Sequence, residues 1–459
     1  MPTIDTNKEK QQTNNINTMP CTNPIIAAID IGTSKTVAIA GTKDEQGRIK
    51  ILGIGEAESK GVIRGTVQNI GLASTSVREA VEKCQNVSKV LFKNVYVGIG
   101  GRNISGLTTS HSKAVENIIT DDDIAQLTEE LYHMSAGQDE NIIHVIPQNY
   151  HVDNINMGIN PKGCAGRKLE GTFYIVKGKG KAVRNIRQAI EMAGLKIIKL
   201  ILEPLASAEA VMSKDEKEIG VLIADIGAGT ADIAVYKDDI LRYTSVVPLG
   251  GKAITNDLKK GCAVLERQAE QIKIQYGAAL SQKDFAKKAV SIKSTNGKTK
   301  DIPFSSIATI INARVEEILG GIAYELDNNL GNMPLPGGII ITGGTAKLKS
   351  LLQLAKFRLA MAEARTGTPL NFVSEYSLEN YVAATGLIIK GMEYTESIIE
   401  LRKKAQQAEA QNAKEASPAN DSKESKDNKN GKEKKGGFMG FFKSMAGKLF
   451  NEPDDSNIK

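Results

Sequence analysis

Two short segments of the chain share one pattern of apolar and polar positions. Residues 25–41 read IIAAIDIGTSKTVAIAG, and residues 221–236 read VLIADIGAGTADIAVY. Each begins with a β-branched, apolar run that ends in aspartate, continues through a turn of small and hydroxyl residues, and returns in a second apolar run. The pattern predicts a strand, a tight turn and a returning strand in each segment.

The two segments align with Asp30 opposite Asp225 and Gly32 opposite Gly227. They lie far enough apart for each copy to open its own domain, which predicts two similar halves with a cleft between them. Glycine lets the backbone approach a ligand closely, and the main-chain N–H groups of such a turn can point at one anion. Two facing turns would hold a polyphosphate, with Asp30 and Asp225 orienting hydrated Mg²⁺. An ordinary β-hairpin is the alternative for either segment alone.

A third segment, GGIIITGGTAKL at residues 337–348, belongs to the same predicted cleft. It predicts a buried strand, a turn at Gly343 and Gly344, and a helix that continues to Phe357. A glycine pair at such a turn lets a ribose or a flat ring lie directly on the backbone. Neither the Walker spacing nor the G-x-G-x-x-G fingerprint is present at these strands, so we expect a nucleotide site of another type.

The pattern changes near the C-terminus. Residues 400–437 contain mainly Lys, Glu, Gln, Ala, Asn and Ser with almost no apolar side chains, which predicts a flexible charged linker. Residues 438–450 are apolar and basic, and residues 451–459 form a polar tail. At 100° per residue, the large apolar side chains of residues 438–450 fall on one half of a helical wheel and the lysines on the other.

This amphipathic segment is about 20 Å long as a helix, too short to span a bilayer but suited to lying in its interface. A helix docked on its own domain or on a partner is the alternative. The candidate membrane-binding residues are Phe438, Met439, Phe441, Phe442, Lys443, Met445, Lys448, Leu449 and Phe450.

Composition narrows the class of protein further. With 459 residues, of which 41% are hydrophobic, the chain can bury two or more cores. Its four cysteines show no C-x-x-C pairing, which favours a reducing compartment. The net charge of +6 is modest and Trp is absent, so nucleic acid is not expected as a partner. Residues 1–23 are polar without an apolar stretch, which predicts a disordered extension rather than a signal peptide.

The three motifs, in this order, resemble those of the actin-like ATPase superfamily. The resemblance implies an α/β fold with two similar halves around a nucleotide cleft, and ATP with Mg²⁺ as the ligand. Glu203, in the sequence Glu-Pro-Leu-Ala, resembles the family residue that orients the attacking water. Glu270 and Lys273 show the E-x-x-K spacing of the ribose and adenine contacts, although an exposed i, i+3 ion pair is the alternative. The implied nucleotide contacts are Asp30, Gly32, Thr33, Ser34, Lys35, Gly227, Ala228, Gly229, Thr230, Glu270, Lys273, Gly343, Gly344 and Thr345.

Within this superfamily, the chain resembles the FtsA family of bacterial cell-division proteins over about residues 24–392 and in the terminal helix. Residues 144–150, HVIPQNY, are similar to the H-V-I-P-Q-x-Y of that family's inserted, SHS2-like subdomain 1C. The implied layout is subdomain 1A at 24–104, 181–211 and 370–399, 1C at 105–180, 2A at 212–250 and 321–369, and 2B at 251–320.

The resemblance implies an ATP-binding protein with weak or no ATPase activity that polymerises on the inner membrane and tethers FtsZ there during cell division. It would lie peripherally on the cytoplasmic face, at the septum, bound to anionic lipids. The C-terminal tail of FtsZ would bind 2B, where Arg314 on a predicted helix at 306–319 is a candidate contact, with a solvated surface arginine as the alternative. Other division proteins would bind 1C. A PilM-like assembly protein and a phosphotransferase such as a sugar kinase are the alternatives. Ala228 stands where many relatives have glycine, which restricts positive φ but keeps the amide donor.

Overall fold

The computed structural model describes residues 23–415, except for 135–136, 138, 282–284, 286–287, 294–298 and 332. The amphipathic segment at 438–450, the polar tail, nearly all of the predicted N-terminal extension and the second part of the predicted linker lie outside the described residues. Among the described helices, none combines the length and the apolar character needed to cross a membrane.

The helices and strands alternate along the chain. The strands are β1 (Ile26–Ile31), β2 (Lys35–Lys43), β3 (Ile49–Glu58), β4 (Val62–Ile63), β5 (Thr66–Val67), β6 (Asn94–Ile99), β7 (Ile104–Ala114), β8 (Glu140–Val152), β9 (Ile155–Gly158), β10 (Lys168–Lys179), β11 (Lys196–Leu202), β12 (Val221–Ile226), β13 (Ala231–Lys237), β14 (Ile240–Val247), β15 (Ala289–Lys293), β16 (Thr299–Pro303), β17 (Ile339–Thr342), β18 (Ala364–Thr366) and β19 (Phe372–Val373). The helices are α1 (Ile70–Ser88), α2 (Asp121–His133), α3 (Gly180–Met192), α4 (Glu203–Val211), α5 (Lys214–Ile219), α6 (Gly251–Gly261), α7 (Glu266–Tyr276), α8 (Phe304–Asn329), α9 (Leu351–Arg358) and α10 (Val382–Glu415).

Two sheets of the same topology form the two halves. The first has the strand order β11-β6-β1-β2-β3-β19, and the second has the order β18-β17-β12-β13-β14. In both, the opening strand pairs antiparallel with the returning strand and parallel with a later one: β1 with β2 and β6, β12 with β13 and β17. The repeat in the sequence therefore corresponds to two similar halves, as predicted, and the structure shows that they also share a strand order.

Each half has its own hydrophobic core. Strands β1 and β12 are buried along nearly their whole length, because helices cover both faces of each sheet. Helices α1, α3, α4 and α10 pack on the first sheet, and α6, α8 and α9 on the second. Helix α4 contacts both sheets and packs closely on α10, where a Cβ at Gly386 would lie 1.8 Å from the Ala206 carbonyl oxygen. This helix therefore links the two halves directly behind the cleft.

A separate sheet with the order β7-β10-β8-β9, together with α2, forms an insert between β6 and α3. All of its strand pairs are antiparallel, and it has a small core of its own that includes Tyr150 and Phe173. These two rings meet edge to face at 5.8 Å.

Three elements differ from the sequence-based expectation. Helix α8 continues past residue 319 to Asn329, because Gly321 packs against Val247 instead of ending the helix. The turn after β17 forms a 3₁₀ segment, Gly344–Lys347, and Ser350, at φ 61°, separates it from α9. Helix α10 continues past residue 399, where the flexible linker was predicted to begin, to Glu415. Residues 400–415 are mostly strong helix formers, and extending an existing helix requires no new nucleation.

Candidate functional site

The two duplicated turns lie on the same cavity between the halves. The first turn joins β1 to β2 at residues 32–34, and the second joins β12 to β13 at residues 227–230. The cavity has a volume of about 970 Å³. Every residue that the sequence analysis proposed as a nucleotide contact lines it, and so does Glu203. The structure thus brings together segments that are widely separated in sequence.

The glycines of these turns let the two turns approach each other closely, and they do not adopt unusual backbone angles. Gly32, Gly227 and Gly229 are not in the left-handed region of φ. A Cβ at Gly229 would lie 2.4 Å from the Thr33 hydroxyl oxygen, so the two turns touch each other across the cleft. Ala228 also avoids positive φ, so its methyl group is compatible with the backbone conformation of the second turn.

The third predicted segment completes one wall of the cavity. Gly343 has φ 84°, and a Cβ there would lie 2.5 Å from Oδ1 of Asp225. A Cβ at Gly344 would meet nothing within 4 Å, so the backbone at this position is open toward the cavity. The Thr345 hydroxyl donates to the Gly227 carbonyl oxygen at 3.3 Å, which joins this wall to the second turn. The glycine pair therefore leaves a flat surface on which a ring could rest.

Glu270 and Lys273 lie on α7 at the edge of the cavity. The Lys273 Nζ is 2.8 Å from Glu270 Oε2, and it also donates to the Thr255 hydroxyl at 2.9 Å and the Gly251 carbonyl at 3.1 Å. The predicted i, i+3 ion pair therefore exists, and both side chains also line the cavity. Lys273 uses all three of its N–H donors in these contacts, so a ribose contact would fall to Glu270, whose bonds here use Oε2, or would require Lys273 to exchange one of its partners.

Four acidic side chains converge at the base of the cavity: Asp30, Glu203, Asp225 and Asp232. Burial, reinforced by the neighbouring carboxylates, raises the pKa of Asp30 from 3.8 to about 7 and holds that of Glu203 well above its usual range. Burial also raises the pKa of Asp225, and it raises the pKa of Asp232 to about 6. Because these four carboxyl groups lie close together and partly out of water, the ionisation of each is unfavourable, and a bound cation would stabilise their ionised forms.

Hydrogen bonds orient two of these acids across the cleft. The Ser207 hydroxyl of α4 donates to Asp225 at 3.2 Å. Asp232 accepts from the Thr230 hydroxyl at 2.6 Å and from the Gly101 amide of the first half at 2.9 Å. The halves are therefore connected through the carboxylates themselves.

Asp232 was not among the predicted site residues. In the first copy, Asp30 pairs across the strands with Val37, whereas in the second copy Asp225 pairs with Asp232. The aligned repeat could have identified Asp232, because the second copy has an acid at the position where the first copy has the apolar Val37. Its cross-cleft bond to Gly101 could not be seen from the sequence, because it joins residues that are far apart along the chain.

The donor set fits a hydrated cation better than a directly ligated one. Among residues 23–415 with their gaps, no three His, Cys, Asp or Glu side chains lie close enough to hold one metal ion. Carboxylates that cannot enclose a metal can still accept hydrogen bonds from the waters that Mg²⁺ retains. The Lys35 ammonium is paired with Glu56 at 3.1 Å and lies over the Tyr381 ring, so it only partly offsets the acidic charge. Asp30 and Asp225 are thus suited to holding Mg²⁺ through water.

Arg314 lies on α8, away from the cavity. Its guanidinium donates from Nη2 to Asp257 at 3.1 Å and from Nε to the same carboxylate at 2.5 Å, and it is also paired with Glu317. Arg314 was predicted to be a contact for a partner, with a solvated arginine as the alternative. The structure shows it neutralised by two acids.

Comparisons with known proteins agree with this architecture. The family model for the cell division protein FtsA matches residues 222–386, and the model for the SHS2 domain inserted in FtsA matches residues 101–177. The FtsA of Neisseria meningitidis is 34% identical over 75% of this chain and 84% of its own length. The FtsA of Bacillus subtilis is 32% identical over 80% of this chain and 83% of its own length.

A solved structure shares the fold. A chain of the PilM–PilN type IV pilus biogenesis complex superposes with a TM-score of 0.59 at 14% identity, over 81% of this chain and 99% of that chain. The predicted fold class is confirmed: an α/β actin-like fold of two similar halves that carries an SHS2 insert.

Proposed function

Because the chain belongs to the FtsA family of cell-division proteins, we propose that it binds ATP with Mg²⁺, polymerises on the inner membrane and tethers FtsZ there. One observation supports the nucleotide part above all others: two copies of one strand–turn–strand unit meet at a single cavity lined by four acidic side chains, of which Asp232 is buried and the other three are partly buried. A polyphosphate with a hydrated divalent cation satisfies both the turn amides and the carboxylates.

We assign the parts of the cavity by their chemistry. The turns at 32–35 and 227–230 hold the phosphates, and the open backbone at 343–344 receives the base and ribose beside α7. Asp30 and Asp225 hold the waters of Mg²⁺, whose charge stabilises the phosphates and the ionised acids. Glu203 is the candidate for orienting a water toward the terminal phosphate, because it enters the cavity from the start of α4. Weak or absent turnover is compatible with this role.

In the proposed mechanism, ATP–Mg²⁺ closes the halves, and the closed chain associates head to tail into actin-like filaments. The amphipathic segment at 438–450 then binds anionic lipid on the cytoplasmic face at the division septum. One such helix binds a membrane only marginally, but a filament presents many of them at high effective concentration. The filament thereby converts a weak anchor into a stable, peripheral attachment.

Co-sedimentation with anionic liposomes in the presence of ATP tests the membrane part. We expect the full chain to pellet with the liposomes, and the double variant Phe441→Glu with Phe442→Glu to stay in solution while still binding ATP. The matched control is Ser444→Glu with Gly447→Glu, which adds the same charge on the polar half of the helical wheel. Pelleting of the Phe441 and Phe442 variant at the level of the control would contradict the proposed anchor.

Binding of a peptide from the C-terminal tail of FtsZ tests the tether. We propose that subdomain 2B, residues 251–320, receives this peptide, with Arg314 as a candidate contact. Fluorescence anisotropy with the chain lacking residues 438–459 separates peptide binding from membrane binding. Replacement of Arg314 by alanine should weaken peptide binding. Arg358→Ala on α9 is the control and should leave peptide binding unchanged, since Arg358 forms a similar ion pair with Glu316, which lies on α8 as Arg314 does. Equal peptide affinity for both variants would remove Arg314 from the interface.

The alternatives predict different ligands. A phosphotransferase would hydrolyse or transfer ATP phosphate only in the presence of a small hydroxylated substrate. A PilM-like assembly protein would bind a partner's N-terminal peptide instead of the FtsZ tail. The superposition on the PilM chain supports the shared fold alone and does not favour that role.

A further inference from the structure

Strand β8 of the insert is bonded to the first half of the molecule at its His144. The His144 ring is only 4% exposed, and its Nε2 accepts the backbone N–H of Leu202 at 3.0 Å. Burial, with Lys199 and Lys390 nearby, lowers the pKa of His144 to about 3, so the ring stays neutral and keeps this acceptor. Leu202 directly precedes Glu203, so the insert fixes the backbone next to an acid of the cavity.

Four residues farther along the same strand, β8 contacts the second half. Gln148 donates from Nε2 to the Leu241 carbonyl oxygen at 2.9 Å, and its Oε1 accepts from Arg242 at 3.2 Å. Leu241 and Arg242 belong to β14, the edge strand of the second sheet. The segment HVIPQNY, which sequence similarity assigned only to the insert, therefore contacts both halves, through His144 and through Gln148.

A tyrosine of the neighbouring strand β10 strengthens this second contact. The Tyr174 hydroxyl donates to the Thr244 carbonyl at 3.2 Å and accepts the Thr244 N–H at 3.0 Å. Because β14 is an edge strand, the hydroxyl thus satisfies the two backbone groups of Thr244 that another strand would otherwise pair with. Tyr174 is 3% exposed, and a Cβ at Gly106 would lie 1.9 Å from its hydroxyl oxygen. The backbone of β7 is thus shaped around this hydroxyl.

The β14 contact is linked to the nucleotide turns by a short path. Strand β13 carries Asp232 at its cavity end, and two residues later its Ala234 pairs with Thr244 of β14. The Thr244 hydroxyl also donates to the Ile233 carbonyl at 2.7 Å. Two residues of a strand span about 7 Å. A displacement of Asp232 is therefore carried by a rigid, doubly bonded ribbon to the place where Tyr174 is attached.

From these contacts we propose that the insert acts as a strap across the back of the cleft, bonded to the first half by His144 and to the second by Gln148 and Tyr174. Rotation of the halves about the nucleotide changes the distance between the two attachments, so the insert must move or deform with it. The conformation of the insert therefore depends on whether nucleotide is bound, and a partner bound to the outer surface of the insert would be affected by it. This inference rests on the proposed function in taking ATP–Mg²⁺ as the ligand that moves the halves.

Hydrogen–deuterium exchange of the full chain with and without ATP–Mg²⁺ tests the strap. In the unaltered protein, we expect ATP to slow exchange both at the turn 225–232 and in the insert strands 104–114 and 168–179. Tyr174→Phe removes both hydrogen bonds to Thr244 and keeps the ring. It should retain the slowing at 225–232 and lose the slowing in the insert strands. Gln148→Ala, a milder change of a half-buried side chain, should reduce the insert response in the same direction.

The matched control is Tyr132→Phe, which also removes a hydroxyl that accepts a backbone amide, that of Val145 at 3.2 Å, but one inside the insert. It should respond to ATP like the unaltered protein. A full insert response in both Tyr174→Phe and Gln148→Ala would overturn the proposal. So would an unaltered protein whose turn responds to ATP while its insert does not. An unaltered protein that responds nowhere to ATP would instead overturn the proposed function on which the inference rests.

Discussion

Replacing Asp30 by asparagine should make the nucleotide-free protein more stable, although it removes a residue proposed to bind the ligand. Asp30 lies at the end of β1, partly buried at the cavity and facing three other acids. Its ionised form is unfavourable there until a cation arrives. Asparagine has nearly the same shape and no charge, so the folded protein no longer bears this cost.

The magnitude follows from the pKa of Asp30, which rises from 3.8 to about 7 in the folded protein. Between pH 3.8 and about 7, the folded state keeps the Asp30 proton and the unfolded state releases it. The stability that the protonated carboxyl contributes is therefore fully present below pH 3.8 and is lost as the pH rises through about 7. A shift of about 3 units corresponds to about 4 kcal/mol above that pH, which is an upper limit because cavity water screens the charge. For a chain of this size, about 4 kcal/mol corresponds to a melting temperature higher by about 5 °C.

Thermal unfolding at pH 8, followed by circular dichroism without nucleotide, measures the effect. Asp30→Asn should melt a few degrees above the unaltered protein, and Asp327→Asn, an exposed change on α8, should melt with the unaltered protein. Added ATP–Mg²⁺ should raise the melting temperature of the unaltered protein and of the control, but not that of Asp30→Asn. A variant at position 30 that melts at or below the unaltered protein at pH 8 would refute the electrostatic reasoning.

Three further outcomes are expected. Lowering the pH from 8 to 6 should stabilise the nucleotide-free protein, because Asp30 and Asp232, with pKa values of about 7 and about 6, then take up protons in the folded state; a melting temperature that falls over this range would contradict it. Gly343→Ala should lower the free energy of unfolding by about 1–3 kcal/mol and weaken ATP binding, because alanine would have to adopt the positive φ of this position and its Cβ would collide with the Asp225 carboxylate. Urea titration measures the change in stability, and nucleotide titration measures the change in affinity. Lys273→Met should weaken ATP binding about tenfold or more if Lys273 contacts the nucleotide, whereas an unchanged affinity by isothermal titration would leave only its ion pair with Glu270.

Much of the site follows from local patterns in the sequence. A strand that ends in aspartate before a glycine turn has one local structure wherever it occurs, and its repetition implies a second, equivalent half. For this reason both strand pairs, the two similar halves and the two turns at the cavity could be predicted, whereas Glu203, Glu270 and Lys273 were inferred from the family resemblance. The glycine at position 343 was likewise predictable as a turn, because glycine readily adopts the positive φ found there.

The lengths of two helices were predicted less well. The helix predicted at 306–319 continues to Asn329 in the folded protein, where Gly321 allows α8 to approach Val247. Residues 400–415 have few apolar side chains, yet they continue a helix that the core has already nucleated. Local composition underestimates a helix whenever a neighbouring segment supplies the stabilising contacts.

The two glycine turns, the third glycine segment and the amphipathic pattern at 438–450 could be read from the sequence, since each depends on the spacing of adjacent residues, and the insert was inferred from the resemblance of residues 144–150 to a known family. Only the tertiary structure decided that Asp232 bonds to the Gly101 amide across the cleft and that Arg314 is neutralised by Asp257. It also decided that His144 and Gln148 of one strand attach to different halves. These contacts join residues far apart in sequence, and in all but the Arg314–Asp257 pair one partner is a backbone group that every residue carries, so no local pattern of side chains can encode them.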